Sequence, residues 1–181
     1  MDKIIFDIET KNSFADVGGQ ENLKKLDVSV VGVYSYERDD YFCFGENELE
    51  KLKEIFKASD LLIGFAIKRF ALPVLEKHFS APGEFNIYSV PCFDILEEIE
   101  RSLGHRVKLD DLAKANLGIG KTAVGLEAIE FYRNGEMEKL KNYCLNDVKI
   151  TKELYEMLKS QGYLWIPQRF SVKMLKWEYP A

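Results

Sequence analysis

The chain is short of the residues that staple small proteins together. Three of its 181 residues are cysteines, Cys43, Cys92 and Cys144, far apart and without a C-x-x-C pair, and two are histidines, His78 and His105. That inventory argues against a disulfide framework and effectively excludes a Cys/His zinc site. No apolar run approaches the ~20 residues that span a bilayer, and the N-terminus carries no signal-peptide pattern. The expectation is a cytoplasmic protein with reduced thiols and no membrane partner. Repeats, low-complexity tracts and Pro/Gly/Ser linkers are also lacking. So is an excess of cations: Lys and Arg number 25 against 30 Asp and Glu, a net charge of −5, with a pI near 5.2. A protein that coats nucleic acid by bulk charge is therefore excluded, and any polyanion must be held by a local patch or by bound cations.

What is present is a core. The composition is 46% hydrophobic and 13% aromatic, enough apolar surface to offset chain entropy in a single domain. Lys3–Thr10 alternates and is rich in Ile and Phe, which predicts a strand, and Val28–Tyr36 predicts a second. Tyr41–Phe44 follows a turn at Glu37–Asp40 and predicts an antiparallel hairpin with the second strand. The 47–57 segment has helical spacing, with Asn47 as its expected N-cap. Leu61–Phe65 is almost wholly apolar, the pattern of a strand buried on both faces. Helices are predicted over roughly 69–79, 94–103, 109–117, 125–133 and 136–160. Gly104, Gly118 and Gly162 stand where helix C-caps belong. The expected fold is α/β: a mixed central sheet, antiparallel meander then parallel strand, flanked by helices. Trp165–Ala181 carries too little pattern to assign.

Carboxylates fall where apolar residues are expected. On the first strand Ile4, Phe6 and Ile8 point one way and Ile5, Asp7 and Glu9 the other. If the strand is central, two acids two residues apart share a covered face, where desolvation costs several kcal/mol each unless compensated. A divalent cation is the usual compensation for hard oxygen ligands; a solvated edge strand is the alternative. On the last long helix, Asp147 lies within the apolar stripe Leu140, Tyr143/Cys144, Val148, Thr151, Leu154, Leu158. Tyr143 stands one turn from it on the same face. Asp147 can equally be an inward acid that accepts a Tyr or backbone hydrogen bond. Three inward acids from two elements are harder to explain as independent accidents.

These residues resemble the ribonuclease H-like 3′→5′ exonucleases of the DEDD superfamily. The first motif, D-x-E on the first strand, is similar to Phe6-Asp7-Ile8-Glu9-Thr10. The third, Y-x-x-x-D on a late helix, is similar to Tyr143-Cys144-Leu145-Asn146-Asp147 and points to the tyrosine-bearing (DEDDy) branch; the histidine-bearing branch would need His where Asn142 stands. Beyond the motifs the chain resembles the exonuclease-like domain found alone or with bacterial DEAD/DEAH-box helicases. The matching stretches are Asp16-Val17-Gly18-Gly19, Leu103-Gly104-His105-Arg106, Leu109–Ala113, Leu117-Gly118 with Gly120-Lys121, Gly125-Leu126 and Tyr143-Cys144. On this reading residues 1–166 form the exonuclease domain, and 167–181 are a tail packed on it or on a partner.

The second motif departs from the family. Its pattern is approximately G-F-N-x-x-x-F-D, and this chain reads Gly64-Phe65-Ala66-Ile67-Lys68-Arg69-Phe70-Ala71. Ala66 and Ala71 replace the Asn and the Asp, while the apolar flanks remain.

The resemblance implies metal-assisted phosphodiester hydrolysis at the 3′ end of single-stranded DNA or RNA. Two Mg²⁺ or Mn²⁺ ions ~3.5–4 Å apart would hold the attacking water and the departing oxygen. Asp7 would bridge both ions, Glu9 and Asp147 would complete the site of the attacking water, and Tyr143 would orient that water. With Ala71 the second ion loses its dedicated carboxylate, so one ion bound well and poor cleavage are expected. Asp60, Asp94 and Asp111 are the conceivable replacements, though Asp94 and Asp111 read as helix-start residues.

Substrate contacts are expected from Thr10, Phe65, Arg69 and Lys121, with Lys68, Phe70 and a basic strip of Arg101, Arg106, Lys108 and Lys114 as further candidates. The alternatives are core packing for the aromatics and solvated faces for the cations. Two other functional readings are an inactive nucleic-acid-binding module and a protein-interaction domain with a vestigial cleft. A helicase is the expected partner. The chain itself has no P-loop: Gly118–Thr122 lacks the first glycine and the preceding strand.

Overall fold

The computed structural model describes residues 2–79, 85–119, 125–168 and 171–176. Seven strands and six α-helices are defined there. They run β1 (Asp2–Thr10), β2 (Val28–Ser35), β3 (Asp40–Gly45), α1 (Leu49–Ala58), β4 (Ser59–Gly64), α2 (Leu72–Phe79) and β5 (Cys92–Asp94). The second half holds α3 (Ile95–Leu103), α4 (Leu109–Leu117), α5 (Gly125–Arg133), α6 (Met137–Gln161), β6 (Tyr163–Gln168) and β7 (Ser171–Lys176). Five strands form one sheet in the order β3-β2-β1-β4-β5. β1 pairs antiparallel with β2 and parallel with β4, so the expected mixed sheet is present and the acid-bearing strand is its centre.

Alternation along β1 divides the core. Ile4, Phe6 and Ile8 are buried on one face with Val31, Val33 and Leu62, under α1 and α2. On the other face Ile5, Tyr34 and Ile63 pack beneath α3, α4 and α6. The long helix α6 buries Leu140, Cys144, Asp147, Val148, Thr151, Leu154 and Leu158. An aspartate therefore occupies the apolar stripe, as its spacing predicted. Gly104, Gly118 and Gly162 close α3, α4 and α6 with φ of 73°, 69° and 76°, the left-handed cap that costs glycine no Cβ clash.

The structure departs from the sequence reading in three places. Asn47 is not an N-cap: residues 46–48 form a 3₁₀ turn, and Glu48 accepts the Gly45 N–H at 3.3 Å. Three-residue β5 escapes any periodicity argument, being too short to alternate. The unassigned end of the chain folds as the β6–β7 hairpin, with Leu164 paired to Leu175 and both buried, together with Ile166, against the α6 side of the sheet. Its first strand crosses residue 166. Leu164 and Ile166 do alternate inward, but Pro167 lowers the weight of a strand assignment.

His78, near the end of α2, is half-buried beside the Lys77–Asp27 ion pair. Burial first, and then the Lys77 charge, push its pKa below 6.5, while Asp27 opposes the shift. The unfolded chain thus binds this proton more readily than the folded one. Stability is expected to fall as pH drops from about 6.5 toward 5, and His78→Gln to flatten that part of the curve. Chemical denaturation across the range measures both.

Candidate active site

Asp7 and Glu9 project from β1 onto the face that α6 covers. Their neighbours across the strand are Gly32 and Val30 of β2. Gly32 determines how close the helix can come. A Cβ built there would lie 2.9 Å from Val148 Cγ2, 3.0 Å from Cys144 Sγ and 3.3 Å from the Cys144 carbonyl. With only hydrogen at that position, the Gly32 N–H donates to Cys144 Sγ at 3.2 Å, and the thiol donates to the Asp7 carbonyl at 3.5 Å. Cys144 thereby ties α6 to both central strands at the level of the acids. Burial, reinforced by the charges of Asp7 and Glu9, pushes its pKa well above the usual thiol value, so it stays protonated.

This approach produces a compact group of ligand atoms. Asp7, Glu9 and Cys144 each place one within 4.8 Å of the others. Asp147, one turn beyond Cys144 and 3% exposed, faces the same cleft, as does Tyr143. The cleft has a volume of about 480 Å³ and is also walled by Thr10, Asn12, Phe14, Phe65, Phe70 and Leu109. Oxygen donors on two rigid elements, in a mouth open to solvent, suit a hard divalent cation that keeps part of its water shell. The aromatic wall is shared with the core: Phe14 and Phe70 meet edge-on with ring centres 5.9 Å apart.

Six of the expected site residues, Asp7, Glu9, Thr10, Phe65, Tyr143 and Asp147, line this one cleft. Arg69 does not. It lies on a smaller cavity with Ala66 and is paired with Glu100 at 3.1 Å. Lys68 holds Glu97 at 2.6 Å, Arg101 bridges Glu97 and Glu98, Arg106 holds Glu100 at 3.0 Å and Lys114 holds Asp110. The basic strip is therefore mostly an ion-pair lattice on and around α3, with Lys108 its exception among the described residues. Lys121 lies outside the described residues. Asn12, Ser13 and Phe14, in the loop after β1, were missed by the sequence reading; they carry no motif and reach the cleft only because β1 ends there.

The segment where the expected second motif departs from its pattern has a defined backbone. Ala66 has φ 61° and ψ 23°, a left-handed conformation that costs an alanine ~1 kcal/mol and that Asn tolerates better. One buried carboxylate holds it: Asp94 accepts from the N–H groups of Ala66 and Lys68 at 2.9 Å each, and from Leu96 and Glu97 at the start of α3. The helix-start reading of Asp94 is thus observed, and its oxygens are committed away from the cleft. Ala71 sits in the apolar cluster beneath β1. Neither Asp60, Asp94 nor Asp111 lines the acidic cleft.

Two substitutions follow from these contacts. Gly32→Ala is expected to push α6 off the sheet and cost ~1–3 kcal/mol, the range for overpacking. Ala66→Asn is expected to raise stability by ~0.5 kcal/mol, through relief of the left-handed alanine. Denaturant midpoints at constant m-value measure both.

The fold and the site can now be set beside known proteins. A family model described as the RNase H superfamily matches residues 4–159. No curated protein sequence matches the chain. Among solved structures it is similar to the family B DNA polymerase from the hyperthermophilic archaeon Pyrobaculum calidifontis, with 18% identity and a TM-score of 0.65. The similarity covers 88% of this chain and 24% of the polymerase chain, so the chain spans about a quarter of that protein. At such identity the likeness speaks for the fold alone. The family match extends from β1 to the last turns of α6 and takes in both acid-bearing elements: the chain belongs to the RNase H superfamily.

Proposed function

We propose that this nuclease-like fold is a metal-dependent 3′→5′ exonuclease domain of the tyrosine-bearing DEDD type. It acts on single-stranded nucleic acid ends, with turnover impaired by Ala66 and Ala71. The observation that carries the reading is the convergence of Asp7, Glu9, Tyr143 and Asp147 on one aromatic-walled cleft. Membership of the RNase H superfamily agrees with a nucleic-acid substrate.

In this reading Asp7, Glu9 and Asp147 hold Mg²⁺ or Mn²⁺. The ion, when bound, makes its water a nucleophile at neutral pH and offsets charge developing on the phosphate. Tyr143, fixed one turn from Asp147, orients the water toward the phosphate. Phe65 and Phe70 wall the space for a terminal base, and Thr10 borders the acids. Cys144 stays protonated and positions the backbone of Asp7. Position 71 offers no carboxylate to a second ion. We therefore assign one well-held ion, with residues 1–166 as the catalytic unit and 167–181 as an appendage. A cytoplasmic setting and a helicase on the same strand complete the proposal.

Metal binding is the first test. Mn²⁺ titration followed by electron paramagnetic resonance should give one principal site, and Asp147→Asn should weaken it at least tenfold. Added Mn²⁺ should raise the melting temperature of the parent chain and not of Asp7→Asn, by mass action on the folded state. Turnover is the second. On a 3′-labelled oligonucleotide the chain should cleave at least ~100-fold more slowly than the double revertant Ala66→Asn, Ala71→Asp, the size of a lost charge-stabilising centre. Equal rates would overturn the impairment. Binding of metal and oligonucleotide with no turnover even in the revertant would favour an inactive binding module. Failure to bind either would leave a protein-interaction domain.

A further inference from the structure

Beside the acidic cleft the described residues form a roomier groove of about 990 Å³, lined by Leu96, His105, Arg106, Val107, Lys108, Asp111 and Pro167. Its lining carries two cations, Lys108 and the Glu100-paired Arg106, with His105, against one acid, Asp111, on a chain whose net charge is −5. Lys108 is exposed and makes no ion pair among the described residues. Along the chain, residues of the groove neighbour residues of the acidic cleft at two points. Lys108 directly precedes Leu109, which lines the cleft. Leu96 and Arg106 also line the smaller cavity that reaches Ala66, the residue after cleft-lining Phe65.

At its other end the groove runs onto the β6–β7 hairpin. Pro167 and Trp165 are two residues apart on β6 and share its face. Across the strands Trp165 is opposite Met174, and Pro167 opposite Val172. Trp165, Val172 and Met174 are 42%, 54% and 39% exposed, and the rings of Tyr163 and Trp165 stand 5.5 Å apart. Asn116 clamps the strand from α4, donating to the Trp165 carbonyl and accepting its N–H at 2.8 and 2.7 Å. The indole therefore rides on a fixed backbone.

We infer that the groove and the hairpin face form a track for the single strand whose 3′ end occupies the acidic cleft. Lys108 meets its phosphates, with His105 and the Glu100-paired Arg106 beside it, and Trp165 stacks on a base several nucleotides upstream. An exposed cation beside a groove that ends at a rigid, exposed aromatic is the combination that holds single strands without reading their sequence. A protein partner would account for the apolar hairpin face but leave Lys108, exposed and without an ion pair among the described residues, unexplained. The inference rests on the nuclease reading and adds to it a length dependence: short oligonucleotides fill only the cleft, longer ones reach Trp165.

Trp165 also reports on its own occupancy, because Trp177 is the other tryptophan of the chain and Trp177→Phe leaves a single indole. Oligothymidylates of three and twelve nucleotides would be titrated into the Ca²⁺-loaded Trp177→Phe protein, with fluorescence and anisotropy as readouts. The 12-mer should quench Trp165 and the 3-mer should not. Lys108→Glu and Trp165→Ala should each weaken the 12-mer about tenfold, near the lower end for one base stack, and leave the 3-mer and the melting temperature unchanged. Unaltered 12-mer affinity in both variants would overturn the track while the cleft reading stands. No binding of either length to the metal-loaded parent would instead sink the nuclease reading. If Trp165→Ala spares oligonucleotide binding but abolishes self-association in ultracentrifugation, the hairpin face belongs to a second copy of the chain and the track is refuted.

Discussion

The close approach of α6 to the central strands is the constraint on which the site depends. It is set by an absence, the missing side chain of Gly32, and secured by one thiol that reaches β2 and β1 together. Close packing in a protein interior leaves such distances little freedom. The depth of the helix in turn fixes the height of Tyr143 and Asp147 above Asp7 and Glu9. An acidic cluster of this kind is costly to assemble, because like charges repel and burial disfavours ionisation. The fold keeps it at the edge of the core, where α6 covers the acids while the cleft leaves water access.

Much of this was legible in the sequence because the informative residues violate a pattern. Asp7 and Glu9 interrupt an alternation that otherwise defines a buried face, and Asp147 sits inside an apolar stripe. A violation of periodicity is visible to anyone who first establishes the period. What could not be read was set by geometry with no local signature. The loop residues Asn12, Ser13 and Phe14 enter the cleft by following β1. The hairpin face of Trp165 depends on a pairing the sequence marks weakly. The cations around α3 illustrate a different limit: their number is apparent from composition, but their partners are not. Arg69, Arg101 and Arg106 form a basic strip only until Glu97, Glu98 and Glu100 are placed beside them.

The second motif separates the shape of a site from its chemistry. Ala66 retains a backbone conformation that suits asparagine, and Asp94 maintains the turn from outside the motif. Leu72 and Leu75, just after the motif, are buried in the same cluster as Ala71. The backbone frame at residues 64–71 is thus held by groups outside the side chains of Ala66 and Ala71.

The two halves of the acidic cleft come from opposite ends of the chain: Cys144 meets the Asp7 carbonyl across 137 positions. At roughly 5–20 residues per second of synthesis, β1 leaves the ribosome on the order of ten seconds before α6 exists to cover it. Until α6 arrives, the face of β1 that it will cover carries Asp7 and Glu9 among its apolar residues, and inward-pointing charges of this kind disfavour pairing with foreign strands.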